Sequence, residues 1–128
     1  MLGFVDSATG TCFWNPLKEG SSSIRQSLAE QLNMDVYLEN DANSVTVASQ
    51  WFGLGKGVDN FLVVTIEQGL GMGVVVDGKL YQGASGIGAE FGHMVLVPDG
   101  EPCRCGKYGC IEAYTADSGI LRRAKIVL

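Results

Sequence analysis

Apolar residues recur along this chain with two different periods, one typical of helices and one typical of strands. Ile24, Leu28 and Leu32 lie four positions apart, so they would form one apolar stripe on a helix ending near Leu32. Ser23-Ile24-Arg25-Gln26 would open that helix as a capping box. Two further helices are predicted, one from about Ala42 to Phe52 and one from Glu112 to about Ala124.

Strands are predicted where apolar runs are bounded by turn residues. The continuous run Phe61-Leu62-Val63-Val64-Thr65-Ile66 is typical of a buried central strand, and Asp77-Gly78 is typical of a two-residue hairpin turn. Shorter strands are predicted within residues 3–14 and over residues 35–38, 74–76 and 79–81. This mixture of helices and strands indicates an α/β fold.

Composition and charge restrict the class of protein. With 128 residues, 46% of them hydrophobic and 18% charged, the chain forms one domain or part of one and can bury a core. A formal net charge of -5 argues against a nucleic-acid-binding surface. No signal peptide and no apolar stretch long enough to cross a membrane is present. The sequence starts without a lead-in element and stops within or just after a predicted helix, so we expect a fragment of a longer protein.

The only histidine and three of the four cysteines fall within the eighteen positions 93–110, the cysteine loop. One imidazole and three thiolates form the donor set of a structural, tetrahedral zinc site, and thiols kept for a metal suggest the cytoplasm. The alternatives are three structural cysteines beside an unrelated histidine, or a disulfide that leaves one thiol over. Cys12 lies apart among apolar residues and is predicted to be a buried thiol. The candidate ligands are His93, Cys103, Cys105 and Cys110.

Two pairs of polar residues could join this site. Glu90 and Glu112 flank the cysteine loop, so closing it would bring both carboxylates together; the alternative is that both are solvated surface residues. Asn40 and Asp41 lie where a predicted strand meets a helix, a junction at which α/β folds bind ligands. Either residue could instead act only as the N-cap of that helix.

A third candidate site is the glycine-rich segment Glu67-Gln68-Gly69-Leu70-Gly71-Met72-Gly73. Backbone N–H groups of such a loop can cradle a phosphate. Glycines are also common in hairpins and closely packed sheets, and the chain has no Gly-Lys-Ser/Thr phosphate loop, so the pattern alone decides little.

Taken together, these residues resemble the ROK family of sugar kinases and sugar-responsive transcriptional repressors. The resemblance covers nearly the whole chain, and its most specific part is the upstream Glu-x-Gly-His followed by the cysteine motif. The matching segments are Glu39-Asn40-Asp41-Ala42-Asn43, Val76 to Leu80, Gly83 to Gly88, Glu90-Phe91-Gly92-His93-Met94, Pro98-Asp99-Gly100 and Cys103-x-Cys105-Gly106-x-x-Gly109-Cys110-x-Glu112.

The resemblance implies an actin-like, ribonuclease H-like α/β fold of two lobes with a sugar in the cleft between them. Residues 1–58 would be the end of the first lobe, and residues 59–128 the start of the second lobe with its zinc loop. The N-terminal part of the fold and any helix-turn-helix domain would lie outside these residues. The family also commonly forms dimers or tetramers, so a homo-oligomer is expected.

The resemblance also implies residue roles. In kinase members, which use ATP and Mg²⁺, the aspartate matching Asp41 is the general base that accepts the proton of the attacking hydroxyl. The zinc ligands would be the four candidates named above. The predicted sugar contacts are Asn40, Asp41, Glu90, His93 and Glu112.

One departure from the kinase pattern favours the repressor branch. Kinase members carry a Gly-Thr-Gly phosphate loop where this chain has Glu67-Gln68 followed by Gly69 and Gly71, a degenerate phosphate loop. A carboxylate there would repel ATP. The first hypothesis is therefore the sugar-sensing part of a regulator, which contacts operator DNA only through a domain outside these residues and is not an enzyme. The alternative is a glucokinase-like, ATP-dependent hexose kinase.

Overall fold

The computed structural model describes residues 4–14, 24–84 and 86–127. Helices and antiparallel strands follow one another as an α/β arrangement with two separate sheets. The strands are β1 (Phe4–Asp6), β2 (Thr11–Trp14), β3 (Phe61–Ile66), β4 (Leu70–Val76) and β5 (Lys79–Leu80). The helices are α1 (Ile24–Leu32), α2 (Asp41–Phe52), α3 (Glu112–Thr115) and α4 (Asp117–Val127), with a 3₁₀ turn over Phe91–His93.

The larger sheet has the order β3-β4-β5, so β4 is central in it. Strands β3 and β4 pair in continuous register from Phe61 opposite Val75 to Ile66 opposite Leu70. The β4–β5 connection is Asp77-Gly78, with φ of 49° and 73°. Two successive left-handed residues are what a two-residue hairpin turn requires, which confirms the predicted turn.

Helix α2 packs closely on this sheet because β4 offers it glycines. A Cβ added to Gly73 would lie 2.1 Å from Thr46 Oγ1, and one added to Gly71 would lie 2.8 Å from Ala42 Cβ. Thr46 and Ala42 are both buried, and the Thr46 hydroxyl donates to Ala42 O at 2.8 Å within the helix. The helix backbone therefore approaches β4 more closely than a side chain at position 71 or 73 would allow.

The prediction of a buried central strand over residues 61–66 is wrong in one respect. The strand forms, but in the described sheet β3 is an edge strand with exposure alternating along it. Leu62 is 58% exposed and Ile66 59% exposed, because α2 covers one face of the sheet and the described residues leave the other open.

Two other predicted elements differ from the structure. Residues 35–38 form no strand: the segment has no pairing partner in the described chain, and Tyr37 is 90% exposed. The C-terminal helix is divided at Ala116, whose ψ of 165° is extended. The break lets the Asp117 N–H donate to Glu67 O at 3.0 Å, so a contact with the β3–β4 turn replaces a helical one.

The remaining predicted elements are present. Helices form over residues 24–32 and 41–52, the segment within residues 3–14 is the β1–β2 hairpin, and the strand predicted at 74–76 is the second half of β4. The Ser23 end of the proposed capping box lies outside the described residues. Across the ranges 4–14, 24–84 and 86–127, none of the helices has both the length and the apolar character needed to cross a membrane.

Candidate sugar and metal site

A cavity of about 400 Å³ opens between the start of α2, the β3–β4 turn and the loop before the cysteine loop. Its volume lies within the range of small-molecule sites, about 300–1,000 Å³. All five residues predicted to contact a ligand line it, although they come from three separate parts of the chain. They are Asn40, Asp41, Glu90, His93 and Glu112.

Asn40 and Asp41 enter this cavity because they begin helix α2. Asn40 is the N-cap, with extended φ and ψ of -63° and 148°, and its Oδ1 accepts from Asn43 N–H at 3.2 Å. Asp41 is the first helical residue, and its Oδ1 accepts from Ala42 N–H at 3.0 Å. The capping role therefore holds for Asn40, and the cap fixes the direction of both side chains.

Three carboxylates approach one another in the cavity. Burial raises the pKa of Glu90 above its usual value, and the negative charges of Glu112 and Asp41 raise it further. Glu112 is only 8% exposed, so the alternative that it is a solvated surface residue is wrong. Glu90 is more accessible, with a side chain 39% exposed.

The cysteine loop brings its four candidate ligands together. One donor atom from each of His93, Cys103, Cys105 and Cys110 lies within 4.8 Å of the other three. Cys105 Sγ and Cys110 Sγ are 3.7 Å apart, as are Cys103 Sγ and His93 Nδ1. Thiolates at about 2.3 Å from zinc in a tetrahedron would be separated by about 3.8 Å. The donor set and its spacing therefore fit a zinc ion, and the group could hold a metal.

The surroundings act differently on the three thiols of the cysteine loop. Burial raises the pKa of Cys103 to about 12 and also raises that of Cys110. Burial acts against ionisation of Cys105 too, but hydrogen bonds from the Lys107 backbone and from the thiols of Cys103 and Cys110 outweigh it and lower the pKa. No disulfide joins the three cysteines of the cysteine loop, so the disulfide alternative is wrong. Cys12 is fully buried in β2, as predicted.

Glu112 connects the cysteine loop to the glycine hairpin, residues 67–71. Its Oε2 accepts from Leu70 N–H at 3.1 Å, and its Oε1 lies 3.8 Å from Cys103 Sγ. Its Oε1 also lies 3.5 Å from Arg104 Nη2, and the same nitrogen donates a very short hydrogen bond to Gln68 O. Sequence reasoning missed Arg104, although it lies between Cys103 and Cys105 and carries a charge.

The glycine hairpin forms one wall of the cavity. Gly69 and Gly71, the degenerate phosphate loop, both line it, and so do Glu67 and Gln68, which are exposed. The carboxylate that distinguishes this chain from the kinase pattern therefore lies in the same wall as the glycines.

A second connection that the sequence did not indicate lies beside the cavity. The Gln82 side-chain amide donates to Ser7 Oγ at 2.7 Å and to Glu39 Oε2 at 2.8 Å. Glu39 Oε1 also accepts from the Asn43 side chain at 3.0 Å. Gln82 thus links the β1–β2 hairpin to the residue just before the N-cap of α2.

The chain belongs to the ROK family: the model of the ROK family matches residues 1–127. It is 45% identical to a glucokinase of Thermotoga maritima over 95 residues, which are 74% of this chain and 30% of that protein. It is 37% identical to a xylose repressor of Bacillus subtilis over 99 residues, 77% of this chain and 26% of that protein. The family contains both classes, and similarity alone does not separate them here.

The solved structures include a ROK family glucokinase from Streptomyces griseus in complex with glucose and AMPPNP. That structure superposes with a TM-score of 0.90 at 35% identity, covering 97% of this chain and 40% of the glucokinase. The predicted fold class is therefore confirmed as the actin-like, ribonuclease H-like α/β fold of ROK sugar kinases. The chain spans about a quarter to two fifths of the length of the relatives it matches.

Proposed function

We propose that the cavity binds a sugar and that the chain is the sugar-binding part of a ROK protein. The observation that carries this proposal is the convergence of three carboxylates, an amide and an imidazole on one cavity of about 400 Å³. A sugar presents many hydroxyl donors, which carboxylates accept well, and few apolar surfaces. An isolated cap or a solvated glutamate would not account for this convergence.

Each polar group has a role that follows from its contacts. Asp41 and Glu90 would accept hydrogen bonds from sugar hydroxyls, and Asn40 would orient a neighbouring hydroxyl. The Nδ1 of His93 faces Cys103 Sγ. The other ring nitrogen, Nε2, therefore points toward the cavity and lies 4.0 Å from Glu90 Oε2. A metal on Nδ1 would fix Nε2 as a donor to a hydroxyl.

The metal in this proposal is zinc, held for structure by His93, Cys103, Cys105 and Cys110. It would take no part in a chemical step. Its effect would be to hold the cysteine loop in place, and with it His93 and the start of α3, where Glu112 lies. The wall of the proposed sugar cavity would then depend on residues that are far apart in sequence but held in position by one metal ion.

We assign the chain to the regulator branch as the first candidate. Glu67 lines the cavity beside the glycines that would have to approach a nucleotide phosphate, and its negative charge opposes that approach. A cytoplasmic regulator would sense the sugar here and contact operator DNA through another domain. A response of this kind requires the sugar to bind two states of the protein with different affinity.

An ATP-dependent hexose kinase is the second candidate. Asp41 lies at the cavity wall where a general base would be needed, and the 45% identical relative is a glucokinase. In that case Asp41 would accept the proton of the attacking hydroxyl, and Mg²⁺ would accompany ATP at the glycine hairpin.

The decisive experiment uses the full-length protein and the variant Asp41→Asn. ATP consumption would be measured with D-glucose, D-xylose and N-acetylmannosamine, and operator DNA retention would be measured with and without each sugar. We expect no turnover, release of DNA by one sugar, and weaker binding of that sugar by Asp41→Asn.

Asp77→Asn is the matched control, because it makes the same chemical change in the β4–β5 turn, away from the cavity. Turnover that Asp41→Asn abolishes and Asp77→Asn preserves would identify a kinase and overturn the first candidate. Failure of every sugar to bind the wild-type protein would overturn the sugar site itself.

A further inference from the structure

Arg104 reaches from the cysteine loop to the glycine hairpin. Its backbone lies between two of the candidate metal ligands, Cys103 and Cys105, so an ion held by them would fix its position. Its guanidinium donates to the backbone carbonyl of Gln68. A Cβ added to Gly69 would lie 3.5 Å from the same nitrogen, so the guanidinium lies directly against the turn.

Besides its own bond from Glu67 N–H to Gly69 O, the turn has three anchors in later parts of the chain, and two of these depend on the neighbourhood of Arg104. The Asp117 N–H bond to Glu67 O joins two backbones and needs no particular side chain. The other two anchors are the Arg104 bond to Gln68 O and the Glu112 bond to Leu70 N–H. Because Arg104 also lies 3.5 Å from Glu112, its loss would remove one anchor and the partner of the other.

The negative charges around Arg104 also stabilise its guanidinium beside the glycine hairpin. Among the described residues that line the cavity it is the only arginine or lysine, beside the carboxylates of Asp41, Glu67, Glu90 and Glu112. A divalent ion with three thiolates and a neutral imidazole carries a net charge of -1, so it would also favour a cation close by. Arg104 lies between these two negative regions, where either one stabilises it.

We propose that Arg104 is a positioning residue that couples the cysteine loop to the glycine hairpin, so that a metal ion in the loop and a ligand in the cavity each strengthen the binding of the other. The coupling rests on the proposed function in that the cavity is the ligand site. The hairpin is the shared element, since it is held by Arg104 and forms a wall of the cavity. Thermodynamic linkage requires the effect to be reciprocal.

The first measurement is amide hydrogen exchange in the zinc-loaded full-length protein, without sugar. In Arg104→Ala we expect exchange over residues 67–71 to be faster by about three- to tenfold, the effect of one partly exposed charged hydrogen bond. Arg104→Lys keeps the charge but not the planar fork, so it should recover only part of the protection. Lys107→Ala removes another cation of the same loop, whose amine donates to His93 O rather than to the hairpin, and should leave residues 67–71 unchanged.

The second measurement separates positioning from a purely structural role. Without sugar, zinc affinity measured by competition with a chromophoric chelator should stay within about twofold in Arg104→Ala, while the affinity for whichever of glucose, xylose or N-acetylmannosamine binds the wild type falls about three- to tenfold. The gain in zinc affinity that this sugar produces in the wild type should shrink by about the same factor in Arg104→Ala. Equal losses of zinc and sugar affinity would make Arg104 a structural member of the loop and overturn the proposal. Unchanged exchange over residues 67–71 would overturn it as well.

The exchange measurement also keeps this proposal distinct from the proposed function. If no sugar binds the wild type, the sugar site fails, while faster exchange in Arg104→Ala would still establish the connection between loop and hairpin. If a sugar binds equally well to wild type and Arg104→Ala, the sugar site stands and the coupling fails.

Discussion

The two turns at the ends of strand β4 are built in different ways. The Asp77-Gly78 turn has two left-handed residues and is held by the end of α2 and the segment before β3: Asn60 Oδ1 accepts from Asp77 N–H at 3.0 Å, Asp59 O accepts from Gly78 N–H at 2.8 Å, and the Gln50 side chain donates to Gly78 O at 2.7 Å. The glycine hairpin at the other end has its own bond from Glu67 N–H to Gly69 O at 2.9 Å and is also held by residues 36 to 50 positions further along the chain. These residues are Arg104, Glu112 and Asp117.

The difference separates a turn that builds the sheet from a turn that serves the site. A turn held by its own sheet and by the helix that packs on that sheet forms with them and contributes to stability wherever the sheet is present. A turn that also depends on anchors in the cysteine loop and in α3 and α4 responds to the state of those anchors, as functional segments of low local stability commonly do. The following changes test this comparison, beginning with the largest expected effect.

Replacing Cys110 by Ser should break the remote anchoring at its origin. Cys110 is fully buried, and a hydroxyl is a poor substitute for a thiolate on zinc, so zinc content should fall from about one ion per chain to nearly none. The unfolding temperature should fall by about 10 °C or more, because structural zinc sites contribute several kcal/mol. Metal analysis and calorimetry would measure both.

Cys12→Ser is the matched control for that change. Cys12 is equally buried but lies in β2, so this variant should lose some stability and keep its zinc. Stoichiometric zinc in Cys110→Ser would contradict the assignment of the cluster.

Replacing Glu112 by Ala should destabilise the protein more than replacing it by Gln. Alanine leaves the buried Leu70 N–H without its acceptor, which costs about 1–3 kcal/mol, whereas glutamine retains an oxygen at that place. Urea unfolding of the full-length protein would give both free energies. Equal losses would mean that the bond to Leu70 is not what Glu112 contributes.

Replacing one glycine by alanine in each of the two turns of β4 should affect stability at one turn and sugar affinity at the other. At Gly78 the φ of 73° is left-handed, so Gly78→Ala should cost about 1–2 kcal/mol and leave sugar affinity unchanged. The backbone of Gly69 is not in that region, but its added Cβ would lie 3.1 Å from Glu112 Oε2. Gly69→Ala should therefore weaken sugar binding with a stability change within about 0.5 kcal/mol. The reverse pattern would remove the distinction between the turns.

The smallest effect is expected at a third turn, between β1 and β2, where the hydroxyl of Thr9 bonds the carboxyl of Asp6 three positions earlier. The Thr9 hydroxyl donates to Asp6 Oδ2 at 2.7 Å, and this bond lowers the pKa of the Asp6 carboxyl. A depressed pKa contributes stability above the pKa of the unfolded chain, and this is lost as the pH falls through the folded value. Thr9→Val should raise the Asp6 pKa toward 3.8, which an NMR titration would measure. It should also slightly reduce the loss of unfolding free energy as the pH falls in the acid range. An unchanged pKa would show that the backbone bonds alone set it.

Local features of the chain could be predicted because their causes are local. The cap at Asn40, the turn at Asp77-Gly78 and the four ligands of the cysteine loop each depend on residues close together in sequence. The edge position of β3 and the break at Ala116 could not be predicted, since both depend on which distant segment lies alongside. Arg104 was missed for the same reason, because its acceptor, Gln68 O, is a backbone atom that no sequence pattern marks.

The close approach of α2 to β4 also determines how the ligand preference of this protein could be changed. Gly71 and Gly73 cannot accept a side chain without moving α2, and Gly71 lines the cavity, so the wall there is fixed by backbone geometry. Variation during evolution or in a directed library would have to act on lining residues that carry adjustable side chains. A small library at Val45, Met72 and Ile87, with both glycines held constant, would test that freedom at three apolar positions.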